Sequence, residues 1–235
     1  MDVRTILVEP KSEENIGAVA RVLKNFGFSE LYLLTSPTIG KKARSVASHA
    51  DDVLSACTIV DSIEEAIATS ALVVGTTSKP GISAHKHLRM PFFSPRELKE
   101  KLEGKEGILS LLFGREDTGL LNEELRLCDI IVCIPTSSDY PAMNLSHAVA
   151  VVLYELSEVQ AASGEQPLAR VEDKERLFDH MRTFLDEIGY REHKKEKTML
   201  MLRRILGRAE LTANEVQTLR GILRKAEWKI GKVKV

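Results

Sequence analysis

The chain has little of what usually makes a function easy to read. Aromatic residues make up 5% of its 235 positions, with one tryptophan among them. Cysteines number three, Cys57, Cys128 and Cys133, with no C-x-x-C spacing. That excludes a disulfide framework and a thiolate metal set, and reduced thiols point to a cytoplasmic protein. No apolar run reaches the roughly 18 residues of a membrane span, and Met1-Asp2-Val3-Arg4 leads straight into an apolar strand rather than a signal segment. There is no G-x-G-x-x-G after the first strand, no G-x-x-x-x-G-K-S/T and no G-x-S-x-G, which argues against a dinucleotide site, a P-loop and a serine-hydrolase elbow. His85 and His87 stand two apart with no third ligand, so no metal site is expected.

Net charge is also nearly absent, at −1. Its distribution is not even. From residue 191 to 235 there are 13 Lys and Arg against 5 Asp and Glu, so the tail carries +8 and the other 190 residues carry −9. A basic helical end on an acidic body suits a polyanion. Short apolar runs at Thr5–Val8, Leu31–Leu34, Thr58–Val60, Ala71–Gly75, Ile108–Phe113 and Asp129–Ile134 alternate with helical patterns at Glu14–Phe26, Lys41–Leu54, Ile63–Thr69, Pro95–Leu102, Asn122–Leu127 and Leu145–Ala161. This alternation predicts an α/β domain over residues 1–161, with a mostly parallel sheet and helices on both faces. Functional loops then gather at the carboxyl ends of the strands. A linker is expected over 162–171, and a basic, wholly helical domain over 172–235. There Leu177, Met181, Phe184, Leu185 and Ile188 form one stripe. Met199, Leu202, Ile205 and Leu206 form a second, and Val216, Leu219, Ile222 and Leu223 face inward behind a Thr212/Glu215 capping box.

Four polar segments follow strands. Glu14–Arg21 places Ile16, Val19, Ala20 and Leu23 on a buried face and Gly17 with Arg21 on another. A glycine inside a helix costs about 1 kcal/mol relative to alanine, which implies close approach there, with Arg21 over a gap that admits a phosphate. Phe113-Gly114-Arg115-Glu116-Asp117-Thr118-Gly119-Leu120 frames a carboxylate between two glycines. Ile134–Ser146 ends a strand in an irregular loop and opens a helix with Asn144 and Ser146, followed by the stripe Leu145, Ala148, Val149, Val152, Leu153, Leu156. Thr76-Thr77-Ser78 is the fourth. The connection Ser78–Phe93, with Lys79, Lys86, Arg89, Phe92 and Phe93, has the charge and aromatic content of a surface that holds an unstacked base.

As an ordered set, N-x-G-x-x-x-R, F-G-R-E-x-x-G-L and I-P…M-N-L-S closely resemble the three motifs of the SpoU/TrmH branch of SPOUT RNA 2′-O-methyltransferases, over residues 1 to about 160. The tail from Met199 through Leu223 resembles the C-terminal extension of TrmJ-type tRNA methyltransferases. The resemblance implies a trefoil knot in the C-terminal part of the α/β domain and a homodimer with the last long helix at its interface. It also implies S-adenosylmethionine as methyl donor and nucleotide 32 of the tRNA anticodon loop as target. Carried over, Arg21, Asn15, Glu116, Asn144 and Ser146 are the catalytic set. Thr76, Thr77, Ser78, Gly114, Gly119, Ile134, Met143, Asn144 and Leu145 hold the cofactor, and Arg21, Lys79, Lys86, Arg89, Arg220 and Arg224 meet the RNA. No metal, DNA or membrane partner is implied. A guanidinium is almost never neutral, so gripping a phosphate suits Arg21 better than acting as a base. Ribosomal RNA as substrate, a non-catalytic RNA-binding protein of the same fold and, least, a small-molecule enzyme are the alternatives.

Overall fold

A computed structural model describes residues 1–34, 39–79, 91–157 and 168–233. In β1 (Asp2–Val8) the apolar side chains part by alternation: Val3 and Leu7 join one core, Ile6 and Val8 the other, and all four are buried. A strand covered on both faces belongs inside a parallel sheet packed by helices on each side. The other strands are β2 (Glu30–Leu34), β3 (Thr58–Val60), β4 (Leu72–Thr76), β5 (Phe92–Phe93), β6 (Ile108–Phe113) and β7 (Ile130–Val132). They form one sheet in the order β3-β2-β1-β6-β4-β7-β5, parallel at every pairing. Helices α1 (Glu13–Asn25), α2 (Lys41–Ala47), α3 (Asp51–Ser55), α5 (Pro95–Leu102) and α7 (Leu145–Leu156) share the core of Val3 and Leu7. Helices α4 (Ile63–Ile67) and α6 (Asn122–Arg126) cover the opposite face.

Two elements differ from the sequence reading. The expected single helix Lys41–Leu54 breaks at Ser48, whose φ of 52° cannot continue a right-handed helix; a 3-10 turn, Ser48–Ala50, separates α2 from α3. Phe92 and Phe93, read as loop aromatics, form the edge strand β5 against Ile131 and Val132. Phe93 packs on the main core beneath the Lys101 ammonium.

After residue 167 the described chain is helical: α8 (Val171–Glu187), α9 (Glu192–Arg208) and α10 (Ala213–Val233), the last opened by the Thr212/Glu215 box. Most of the expected stripes turn inward, but Ile188, Ile205 and Ile222 are exposed, because three helices alone leave part of each stripe uncovered. Residues 162–167 of the expected linker lie outside the described residues. Leu168 bridges to Thr212, Ala169 donates to the Leu211 carbonyl, and Val171 already starts α8.

These helices dock on the amino ends of β4 and β7 through buried polar contacts. Lys174, 4% exposed, donates to the Ala71 carbonyl at 2.7 Å and to Asp129 at 3.0 Å, and Asp129 also accepts from the Val73 N–H. Arg204 donates to the carbonyls of Cys128 and Leu125. Gly207 lets α9 lie against Asp129, where a Cβ would come within 2.8 Å of the aspartate Cβ. Among the described residues no helix is long and apolar enough to cross a membrane. A buried charge stripped of its partner is costly, so Lys174→Met is expected to lower unfolding stability by about 3–5 kcal/mol. Urea melts check this, with the Lys174→Met/Asp129→Leu double variant recovering only part of the loss, because the Val73 N–H then lacks its acceptor.

Candidate active site

The loops after β4, β6 and β7 meet at one cavity of about 230 Å³ at the carboxyl edge of the sheet. One wall is apolar: Phe113, Val132, Ile134, Met143, Leu145 and Ala148. The other is the loop Gly114–Gly119, and Thr76–Lys79 close a side. Glycine is required at both ends of that loop. A Cβ on Gly114 would sit 2.1 Å from the Gly119 carbonyl carbon, and Gly119 has φ +67°.

At the cavity mouth the three motifs join in one chain of hydrogen bonds. Glu116 Oε1 accepts from Asn15 Nδ2 at 2.7 Å, Asn15 Oδ1 accepts from Asn144 Nδ2 at 3.0 Å, and Asn144 Oδ1 accepts from the Ser146 N–H and hydroxyl at 2.9 and 2.8 Å. The direction of this chain follows from charge. An ionised carboxylate only accepts, so Asn15 must turn its amide nitrogen to Glu116 and its oxygen to Asn144. Asn144 must then present its nitrogen, leaving its oxygen for Ser146. The Ser146 backbone N–H, a fixed donor at the start of α7, demands the same orientation from the other end. The Lys11 and Ser12 N–H groups also donate to Glu116, at 3.0 and 3.3 Å. Partial burial pushes the Glu116 carboxyl up, but the Asn15 amide and these backbone donors outweigh it and hold it below the ordinary glutamate range.

The neighbours of Glu116 clamp the same two segments. Arg115 donates to Glu9 at 2.6 Å and forks onto both oxygens of Glu124. Those carboxylates raise the Arg115 pKa, and its guanidinium holds Glu9 low. Asp117 pairs with Lys11. Three consecutive residues of the β6 loop thus each bind the segment between β1 and α1. Arg115 stands in the F-G-R-E motif without an assigned role, and Glu9, Glu124, Lys11 and Asp117 escaped the sequence reading. Their only signal was opposite charge in Glu9-Pro10-Lys11 and Arg115-Glu116-Asp117, more than a hundred residues apart.

The remaining expected residues distribute as follows. Thr76, Thr77, Ser78, Gly114, Gly119, Ile134, Met143 and Leu145 all line the cavity. The Thr76 hydroxyl donates to the Leu112 carbonyl, and that of Thr77 pairs with the Lys79 backbone, so both build the loop as well as the wall. Asn144 and Ser146 flank Leu145 at the mouth. Lys79 is exposed and lines the cavity, while Lys86 and Arg89 lie outside the described residues. Arg21 is not brought to the cavity of its own chain: it is exposed, its Nη1 3.5 Å from the Val46 carbonyl. Something does approach Gly17, but it is α2 and not a phosphate. A Cβ there would lie 2.2 Å from the Ala43 oxygen. Arg224 is exposed on α10, and Arg220 is half-buried. Among the described residues no group of three or more His, Cys, Asp or Glu is placed to hold a metal ion.

A parallel sheet with a glycine-looped cavity at its carboxyl edge, sealed by Asn and Glu from motifs far apart in sequence, defines a SpoU-type methylase architecture. The chain belongs to that family: the model of the SpoU rRNA Methylase family matches residues 2–154, and that of the tRNA methyltransferase TrmJ C-terminal domain matches residues 172–234. The tRNA (cytidine-2'-O-)-methyltransferase TrmJ of Methanocaldococcus jannaschii is 38% identical over 223 residues, covering 92% of this chain and 96% of that protein. The tRNA (cytidine/uridine-2'-O-)-methyltransferase TrmJ of Pectobacterium atrosepticum is 36% identical over 235 residues, covering 94% and 95%. The crystal structure of TrmJ from Z. mobilis ZM4 superposes with a TM-score of 0.78 at 30% identity, covering 97% of this chain and 100% of that one.

Glu116→Gln would set an amide donor either against the Lys11 N–H or against the Ser12 N–H and the Asn15 amide. It is expected to destabilise the fold by about 1–2 kcal/mol at pH 7, with the carboxylate's partial exposure keeping the figure low. Because the folded carboxyl is held low, its contribution is full above the unfolded value of about 4.3 and is lost as pH falls through the lower folded value. The gap between wild type and variant in chemical melts therefore closes with acid.

Proposed function

We propose that this protein methylates a ribose 2′-hydroxyl of tRNA, at nucleotide 32 of the anticodon loop, with S-adenosylmethionine as donor and as a homodimer. The observation that carries this reading is the hydrogen-bond chain from Glu116 through Asn15 and Asn144 to Ser146. It brings the polar residues of all three motifs to the mouth of one cavity. The cavity suits the donor. Apolar walls from Phe113, Ile134 and Leu145 and the peptide groups of Gly114–Gly119 fit a flat base and its ribose, and Glu116, Asp117 and Lys79 at the rim suit a zwitterionic, sulfonium-bearing tail. When bound, the donor supplies an electrophilic methyl.

The chain's own residues then position and exclude water. Thr76–Lys79, Gly114–Gly119 and Ile134–Leu145 bind, while Asn144 and Ser146 border the place where the ribose oxygen must arrive. Arg21 points away from its own cavity, which favours its delivery to the partner's site across a dimer packed on α7 and α1. There its permanent charge grips the phosphate beside the target ribose and stabilises the developing oxyanion. The sheet order, with β4 between β6 and β7, supports the knotted threading of the family, and we read residues 1–161 as the methyltransferase domain and 172–235 as the RNA-facing one. Exposed Lys79 and Arg224 add salt-sensitive attraction to RNA.

The test is transfer of labelled methyl to unmodified tRNA transcripts, with ribosomal RNA as comparison and the modified position mapped. Label at nucleotide 32 of tRNA is expected, falling by at least about 100-fold in Arg21→Ala, the size seen when one oxyanion-stabilising donor is removed. Label confined to ribosomal RNA, or absent with the cofactor still bound, contradicts the reading.

A further inference from the structure

The outer lip of the cavity holds an aromatic side chain that lies outside the hydrogen-bond chain of the three motifs. Thr136, Pro141, Ala142 and Met143 line the cavity, and between them Tyr140 is 81% exposed, more than any other large apolar side chain among the described residues. The lip is a built turn and not a slack loop. The Thr136 hydroxyl donates to the Pro141 carbonyl at 3.1 Å, and the Tyr140 N–H to the Ser137 carbonyl at 3.2 Å. Ser137 Oγ accepts from the Asp139 N–H at 3.3 Å, and Pro141 fixes its own φ. Four residues on, Asn144 begins the hydrogen-bond chain to Asn15 and Glu116. Among the described residues the Tyr140 hydroxyl has no hydrogen-bond partner, so neither its ring nor its polar tip is spent on the fold.

Burying an aromatic side chain is favourable by about 1.5–3 kcal/mol, so a ring left in water at the edge of a site is available for a contact. The other aromatics near this edge present less of their rings: Phe93 packs into the core, and Phe92 is 38% exposed. A ribose whose 2′-oxygen reaches the cavity mouth carries its base on the adjacent C1′ carbon, so the base also stands near the mouth that this lip borders. We propose that Tyr140 is the stacking platform for the unstacked base of the nucleotide whose ribose reacts. This rests on the RNA-methylating reading above and adds how the substrate is held. Stacking needs a flat π-face and no hydrogen-bond pattern, so the contact tolerates every base and favours larger ones. The ring is neutral, so the contribution is insensitive to salt, in contrast to that of the exposed cations.

The experiment uses the full chain and full-length tRNA. Tyr140→Ala is expected to raise KM for tRNA by about 5- to 150-fold, the range that base–aromatic stacking spans, at unchanged affinity for S-adenosylmethionine. Tyr140→Phe and Tyr140→Trp should stay within about 2-fold of wild type, because the face is retained. A readout independent of activity is 2-aminopurine at the target position. Its fluorescence is quenched on binding to wild type and to Tyr140→Phe, and left bright when Tyr140→Ala is saturated with the RNA. An active wild type with unaltered KM and quenching in Tyr140→Ala overturns the proposal. So does a Tyr140→Phe as impaired as Tyr140→Ala, which assigns the role to the hydroxyl, or a Tyr140→Ala that loses self-association, which assigns the ring to a second copy of the chain. A wild type that methylates no RNA but binds the cofactor overturns the functional reading itself.

Discussion

The site depends on one ionised carboxylate. Glu116 stands where the segment after β1, the loop after β6 and the start of α7 converge, and it can only accept. That single restriction orients the amides of Asn15 and Asn144 and the hydroxyl of Ser146. An apolar residue in its place would leave three donors without their acceptor, while a neutral amide would set a donor against at least one of them. The Arg115 and Lys11 ion pairs on either side keep the carboxylate in register. They also tie the cavity loop to the segment that leads into α1.

The second constraint lies at the other end of the same strands. α8 and α9 are fastened to the amino ends of β4 and β7 by Lys174, Asp129 and Arg204, whereas the cavity is at the carboxyl ends. The basic tail is therefore not a brush of free charges. Arg204 is consumed by docking, Arg203 by a two-pronged pair with Glu175, and Lys195 by Asp186 and Glu192. What stays outward for a polyanion is Arg191, Lys194 and Lys197 at the amino end of α9 and Arg224, Lys225 and Lys229 on α10. The net charge of a segment overstates its reach when the fold spends part of it.

How much of this was legible in the sequence follows from the range of the interactions. Elements governed by near neighbours were readable: the apolar run Thr5–Val8 of β1, the buried stripe Ile16, Val19, Ala20, Leu23 of α1, the Thr212/Glu215 box and the parallel α/β class. The cavity-lining residues were readable through the ordered motifs. Contacts between distant segments were not. Gly17 signals close approach, yet nothing local says that the visitor is the Ala43 carbonyl. Ser48 in a left-handed conformation breaks a helix whose local pattern is continuous. Phe92 and Phe93 become an edge strand only because β7 offers a partner. The Glu9–Arg115 contact joins residues more than a hundred positions apart and has no periodicity to betray it.

The central claim is that the charge on Glu116 orders the three motifs. It is tested most directly by following the Glu116 carboxyl carbon and the side-chain amides of Asn15 and Asn144 by NMR as pH is lowered. The account predicts a Glu116 midpoint below the ordinary value of about 4.3, with both amides shifting at that same midpoint. A midpoint at the ordinary value, with amides indifferent to it, would contradict the account.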